Sequence, residues 1–525
     1  FRSTKNIADK GGYLFAWMMD ALMVGIGVGF DTLGAKTFSV KEPQWTNDTL
    51  VIEDSREGWV NSVHILLDGY ILGKKVPKFD FSAIRGKGEP IRGFGGTSSG
   101  AGPLIELHDN LRELLEPKVG EMIESVDIVD IENLIGRCVV AGNVRRSAAL
   151  AIGQFDDTEY LTMKNDQEKL YHHRWGSNNS FEAKVGMDYS WHASQSAING
   201  EPGYIWLDNA RYYGRMKDDM RFDDVKVMGF NPCVEQQLEN GELCCLVETY
   251  PAKHDDYEDY IKTLEIAYMY GKTVTLVNTH WPETNAIMLK NRRIGLSQTG
   301  VVQAFNKFGR RKMYQWCDDA YDHVQKLDKE YSDWLCVPRS VRMTSIKPSG
   351  TVSLLNGSTP GIHYPENEYY IRRIRFAMNS KLLPALEEAG YKIEKDVYSP
   401  NTMCVEFPVK EPFFQKGKRD ISMWEQLEIA AQYQYYWADN SVSITVTFQE
   451  HEKEEIKDAL EMYETRLKAV SFLKYEETGY KQAPYEPITE EEYNDMIKNI
   501  IPIKKIETDE GGVGSKFCSN DTCEI

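Results

Sequence analysis

From Gly11 onward, apolar residues recur at helical spacing and run into Gly25-Ile-Gly-Val-Gly, which predicts a packed helix entering a turn. The alternate glycines suit close backbone packing, and the strand–GxGxxG–helix setting of a dinucleotide fold is missing around them. Residues 38–90 are mixed and loop-rich, with a helix from Glu57 to about Leu72. Residues 93–102 follow a short strand and hold too much glycine for a helix. A one-faced helical pattern covers residues 110–150 and ends in Gly142-Asn-Val-Arg-Arg-Ser, and helices joined by short strands fill residues 255–335. Residues 342–346 read as extended. Helix and strand alternate over residues 366–448, where the β-branched run 441–448 suits a buried strand. From about residue 450 to 505 the pattern is helical and strongly charged, and residues 508–516 form a polar, glycine-rich tether.

Composition narrows the class. A chain of 525 residues with 42% hydrophobic and 27% charged content can bury a large core and is ordinary for a soluble globular protein. No apolar run reaches the roughly 18–20 residues of a membrane helix, and residues 13–30 lack a signal peptide's basic flank and cleavage site. A net charge of −19 argues against a polymeric nucleic-acid partner while leaving room for one nucleotide. The nine cysteines are odd in number and dispersed, which fits a reducing compartment with thiols kept for chemistry or packing.

The candidate chemistry centres on residues 231–246, Asn-Pro-Cys-Val-Glu-Gln-Gln-Leu-Glu-Asn-Gly-Glu-Leu-Cys-Cys-Leu. In an extended loop the alternate residues Asn231, Cys233 and Glu235 face one side, so an amide, a thiol and a carboxylate meet one substrate. A thiol beside a carboxylate suits hydrogen-atom and proton chemistry at a hydroxylated carbon. Cys244 follows eleven residues after Cys233. Two buried cysteines in a plain loop would look the same. Lys347-Pro-Ser-Gly-Thr-Val reads as strand, turn and helix start. There Ser349, Gly350 and Thr351 would cradle a phosphate, or simply cap a turn. Arg145 and Arg146 would steer an anion or pair structurally, and Ser177 and Asn178 would approach a ribose. His172 and His173 are adjacent and lack a third ligand at metal spacing. Cys518 and Cys523 on the mobile tail suit thiol–disulfide exchange with a buried pair, since a zinc site would need two more ligands nearby.

Asn-Pro-Cys-x-Glu followed by Cys-x-Leu resembles the radical loop of ribonucleotide reductases. Residues 140–148 (VAGNVRRSA), 166–180 (DQEKLYHHRWGSNNS), 291–300 (NRRIGLSQTG), 347–352 (KPSGTV) and 437–448 (WADNSVSITVTF) resemble one branch, the adenosylcobalamin-dependent, monomeric ribonucleoside-triphosphate reductases. The similarity runs from near residue 10 to the C-terminus. It implies a ten-stranded α/β barrel over residues 1–510, threaded by the 231–246 loop, with a small effector-binding insertion within 38–90 and a redox-active tail over 511–525. It also implies Cys233 as the thiyl, Glu235 as general base, Asn231 on the ribose hydroxyls and Cys244 as a reducing thiol. Cys518 and Cys523 would be the shuttle, and Gly95, Gly96, Thr97 and Ser98 part of an effector-to-substrate loop. Adenosylcobalamin is the implied cofactor; a deoxynucleotide effector and a thioredoxin-like reductant are the implied partners of a cytoplasmic monomer. The thiol pairing with Cys244 is expected just upstream of the Phe1–Lys5 match, outside this sequence, with Cys138 read as core. An inactive or split fragment needing that upstream piece, or a nucleotide-sensing module, is the alternative.

Overall fold

A computed structural model describes residues 1–91, 97–141, 147–378, 380–397, 402–475 and 481–503. Helix α1 (Tyr13–Met23) is buried on almost every side, as its apolar run requires. It turns at Gly25, whose φ of 85° favours glycine, into strand β1 (Val28–Asp31). Four more parallel positions follow the same logic of crossover connections: β2 (Ala149–Gln154), β3 (Ser177–Glu182) and β4 (Gly203–Ile205) on one side, and a bridge from Arg2 to Phe30 on the other. A second parallel set holds β5 (Leu246–Thr249), β6 (Gly295–Gln298), β7 (Thr344–Ser345), β8 (Thr445–Phe448) and β9 (Ala469–Lys474). Ile346 bridges Val442 to join β7 to the β8 segment, and β4 meets β9 antiparallel at Ile205–Ala469. Four strands extended by the Arg2 bridge form one parallel half and five strands form the other, and the two halves running against each other build an α/β barrel-type fold.

The 231–246 loop passes between the halves. Gly229–Phe230 pairs antiparallel with Gln237–Leu238, so the loop is a hairpin pushed into the barrel. Glycine makes room for it: a Cβ on Gly29 would lie 1.8 Å from the Phe230 carbonyl oxygen, and one on Gly27 2.8 Å from the Pro232 ring. The close packing expected of these glycines is therefore packing against this hairpin. Phe230 and Leu238 seat in a small apolar cluster with Leu150, Ile152, Ile205 and Ala469, separate from the large outer core.

Several elements differ from the sequence pattern. The 110–150 pattern divides into Gly102–Leu115 and Ser125–Val140, separated by residues 116–124. Strand β9 lies inside the charged stretch read as helical, because a short buried strand in a long polar region leaves little periodic signal. Residues 441–444 precede β8 as a segment bonded to the hairpin and to Ile346. The loop-rich 38–90 region contains a parallel ladder, Gln44–Val51 with Lys75–Asp80, around helix Arg56–Leu72. Ser55 caps that helix by accepting from the Gly58 N–H, and Gly73 ends it in the left-handed conformation.

Gly29→Ala is expected to cost about 1–3 kcal/mol in a urea melt, because the hairpin must shift. Gly102→Ala, where an added Cβ meets nothing within 4 Å at a helix start, is expected to be neutral or mildly stabilising. Equal losses at both positions would contradict this placement of the hairpin.

Candidate active site

The hairpin tip is a tight turn, unlike the extended loop expected. The Val234 N–H donates to the Asn231 carbonyl at 2.9 Å, and Val234 has φ of 64°, an uncommon value for a β-branched residue. The Asn231 side-chain oxygen accepts from the Gln236 N–H at 3.0 Å. That end of the amide holds the turn, which leaves its NH2 end to address a ligand. Backbone oxygens at the tip are also bound: the Cys233 carbonyl accepts from the Ser443 hydroxyl, and the Glu235 carbonyl accepts from Ser345 Oγ (3.1 Å) and the Ser441 N–H (3.2 Å).

Turning rather than extending still brings thiol and carboxylate together. Glu235 has 0% of its side chain exposed; Lys347 Nζ reaches its Oε1 at 2.6 Å, and its Oε2 is buried without a partner. Burial pushes the Cys233 thiol up, Glu235 adds to the rise, and Lys347 opposes it. Cys244 is pushed up to about 12, first by burial and then by Glu235, with Lys347 and the chain's terminal ammonium opposing. Both therefore stay neutral S–H groups at neutral pH. That state suits hydrogen-atom transfer, whereas a nucleophilic cysteine needs a lowered pKa.

Cys233 opens on a cavity of about 340 Å³, walled by Asn178, Asn179, Tyr204, Pro348, Thr445 and Phe472 among others. Its polar lining is mostly amide, hydroxyl and backbone. The Asn179 amide nitrogen is buried there without a partner, and the acidic Glu201 is tied to Lys164 at 2.6 Å. Neutral donors beside a thiol fit a large, amide-fringed cofactor such as cobalamin. Asn178 is thus brought to Cys233, while Ser177 lies buried behind it, donating to Asn179 Oδ1 at 3.0 Å.

The 347–352 segment leads into a five-residue 3-10 turn, Val352–Asn356, where sequence suggested a helix start. Ser349 Oγ donates to Glu248 Oε1 at 2.5 Å, and the Ser349 and Gly350 N–H groups close onto the Lys347 and Pro348 carbonyls. The open face is Gly350, where an added Cβ would meet nothing within 4 Å, together with exposed Thr351. Thr97 and Ser98 border a separate small cavity with Trp59, Cys138 and Ala141. Gly95, Gly96, Arg145, Arg146, Cys518 and Cys523 lie outside the described residues.

Sequence reasoning missed Lys347 as a charge at the site, although it opens a quoted motif, and missed Glu248 beneath the loop. It also missed what anchors the hairpin. Arg293 is fully buried, binding Asp224 through both terminal nitrogens (2.9 and 2.6 Å) and Glu242 through Nε (3.0 Å). Asp439 accepts from the Met343 and Thr344 N–H groups, both at 2.8 Å. Asp130 takes a two-point bond from Arg174, so the 166–180 motif works here as a structural clamp.

The family model described as "B12-dependent ribonucleotide reductase, insertion domain" matches residues 32–115. A probable adenosylcobalamin-dependent ribonucleoside-triphosphate reductase of Dictyostelium discoideum is 46% identical over 552 residues, covering 100% of this chain and 73% of its own. The adenosylcobalamin-dependent ribonucleoside-triphosphate reductase of Euglena gracilis is also 46% identical, over 537 residues, covering 100% and 74%. A crystal structure of a B-12 dependent (class II) ribonucleotide reductase superposes with a TM-score of 0.84 at 34% identity, covering 94% of this chain and 78% of that one. Identity of 46% over the full length of this chain, covering about three quarters of each relative, shows that the chain belongs to the adenosylcobalamin-dependent ribonucleoside-triphosphate reductases.

Proposed function

We propose that this chain reduces ribonucleoside triphosphates to 2′-deoxyribonucleoside triphosphates for DNA synthesis, through a thiyl at Cys233. The observation that carries the site assignment is the neutral, half-buried Cys233 thiol facing a cavity beside a buried carboxylate with one unused oxygen. Adenosylcobalamin, when bound, supplies the radical that converts the Cys233 thiol to a thiyl. Asn178, Asn179 and the Thr445 and Phe472 walls would hold it.

The chain's own residues account for the rest. The Cys233 sulfur takes the 3′ hydrogen atom, and Glu235 Oε2 accepts the 3′-hydroxyl proton. The 2′-hydroxyl then leaves as water with a proton from a thiol. Cys244 and a second thiol together give two electrons and two protons as their disulfide forms: one proton leaves in the water and the other becomes the new hydrogen on C2′, while Glu235 returns its proton to the 3′ oxygen and Cys233 returns its hydrogen atom to C3′. The Phe1 nitrogen lies buried near Cys244, donating to the Glu242 carbonyl at 2.9 Å. Cys518 and Cys523 would reduce that disulfide and receive electrons from a thioredoxin-like protein. The Asn231 NH2 end would bind a ribose hydroxyl, and Gly350 and Thr351 would meet the triphosphate, with Ser349 anchoring the loop through Glu248.

The insertion, read at 38–90 and lying within the matched 32–115, would take the deoxynucleotide effector. Thr97 and Ser98, with Gly95 and Gly96, would relay its identity. We propose a cytoplasmic monomer, as the resemblance implies; separately, among the described residues no helix is long and apolar enough to cross a membrane.

Supplying adenosylcobalamin, a ribonucleoside triphosphate and a dithiol is expected to yield deoxynucleotide; no product, with or without the upstream segment supplied, would overturn the assignment. Glu235→Gln is expected to lower kcat about 10²–10⁴-fold with little change in KM, as measured by product formation. Iodoacetamide labelling read by peptide mass spectrometry is expected to modify Cys233 and Cys244 slowly at pH 7, rising only above the ordinary thiol range. Because folding raises both thiol pKa values, the folded state keeps protons the unfolded chain loses, so stability falls as pH climbs through 9.0, the ordinary value. Fast labelling at neutrality would mark a thiolate pair instead.

A further inference from the structure

Glu235 presents a problem the reaction scheme leaves open. Its side chain has no exposed surface, and a charge held out of water needs a partner. One side chain addresses this. Lys347 Nζ lies 2.6 Å from Oε1, on the side away from the unused Oε2. Its backbone is held from three directions: its N–H donates to Ser297 Oγ at 2.9 Å, its carbonyl accepts from the Ser349 N–H at 2.9 Å, and Gly361 packs so closely that an added Cβ would sit 2.6 Å from that carbonyl. Pro348 then restricts the chain beyond it. Three other ionisable groups enter the local balance: Cys233 and Cys244 beside Glu235, and Glu248 beside Lys347. The Phe1 ammonium faces Cys244.

We propose that Lys347 is the positioning residue of the base: it keeps the buried Glu235 carboxylate ionised and occupies Oε1, so that Oε2 is the oxygen left to receive the substrate's proton. This rests on the reductase reading above for the identity of that proton. The pairing itself can be measured without turnover. Lysine also opens the segment proposed to meet the triphosphate, so one rigid stretch of backbone serves both ends of the substrate.

The test uses the full chain with Lys347→Met, Lys347→Arg and the double variant Lys347→Met/Glu235→Gln. Infrared difference spectra at pH 7 are expected to show a protonated-carboxyl band in Lys347→Met that is absent from the parent and from the double variant. In turnover, the acid limb of the kcat profile is expected to move up by about one pH unit or more in Lys347→Met, lowering kcat at pH 7 about 10–100-fold with KM little changed. Lys347→Arg is expected to recover most of that loss, since it restores the charge. A Glu235 that stays ionised in Lys347→Met, or an unchanged pH profile, overturns the proposal. Should Lys347→Met fail to fold, recovery of stability in the double variant supports the pair, and no recovery overturns it. If the parent makes no deoxynucleotide, the reductase reading fails, and the infrared comparison alone decides the role of Lys347.

Discussion

A loop that crosses the middle of a barrel must satisfy its backbone polar groups there from protein alone, and everything else in this structure follows from how that is done. The tip meets the requirement with three serines on the facing strand segments: Ser345, Ser441 and Ser443 supply two hydroxyls and one N–H to the carbonyls of Glu235 and Cys233. Asn231 closes the turn from within. The partners of the two thiol-side carbonyls come from one half of the barrel, while Gly27 and Gly29 on the other half leave space for the hairpin's near side. The backbone of Cys233 is thereby fixed relative to both sheets, as the proposed hydrogen-atom transfer with one carbon requires.

The same burial dictates the electrostatics. Charges taken out of water must be paired, and leaving one partner alone costs several kcal/mol. At the base of the hairpin the pairing is closed, with Arg293 spanning Asp224 and Glu242. At the tip it is half open. Lys347 takes one oxygen of Glu235, and the other has no partner. A closed cluster holds shape; a half-open one retains capacity to accept a proton. Burial also keeps Cys233 and Cys244 as thiols, so one physical cause supports both roles proposed for the tip, hydrogen-atom transfer and proton acceptance.

Much of this was legible in the chain. Asn231, Cys233, Glu235 and Cys244 stand close in sequence, and the hairpin brings Cys233 and Glu235 to one centre, though through a turn with Val234 at positive φ rather than by strand alternation. Turn geometry set by tertiary contacts leaves no trace in residue periodicity. Strand β9 was hidden because six residues, half polar in their flanks, cannot outweigh the helical pattern around them. Lys347 opens the KPSGTV segment with no local sign of its role, since its meaning comes from Glu235, more than a hundred residues away. Ser349 reads in sequence as a phosphate ligand, and in the fold its hydroxyl bonds Glu248. Residues whose work depends on distant partners are the ones local sequence cannot explain.

The central claim is that the Cys233 sulfur takes the 3′ hydrogen of the substrate. The direct measurement compares deoxynucleotide formation from 3′-deuterated and ordinary ribonucleoside triphosphate, in the parent chain and in Cys233→Ser, with adenosylcobalamin and a dithiol present. The account expects slower turnover of the deuterated substrate by the parent and none by Cys233→Ser. Product formation that survives the loss of that sulfur would contradict it.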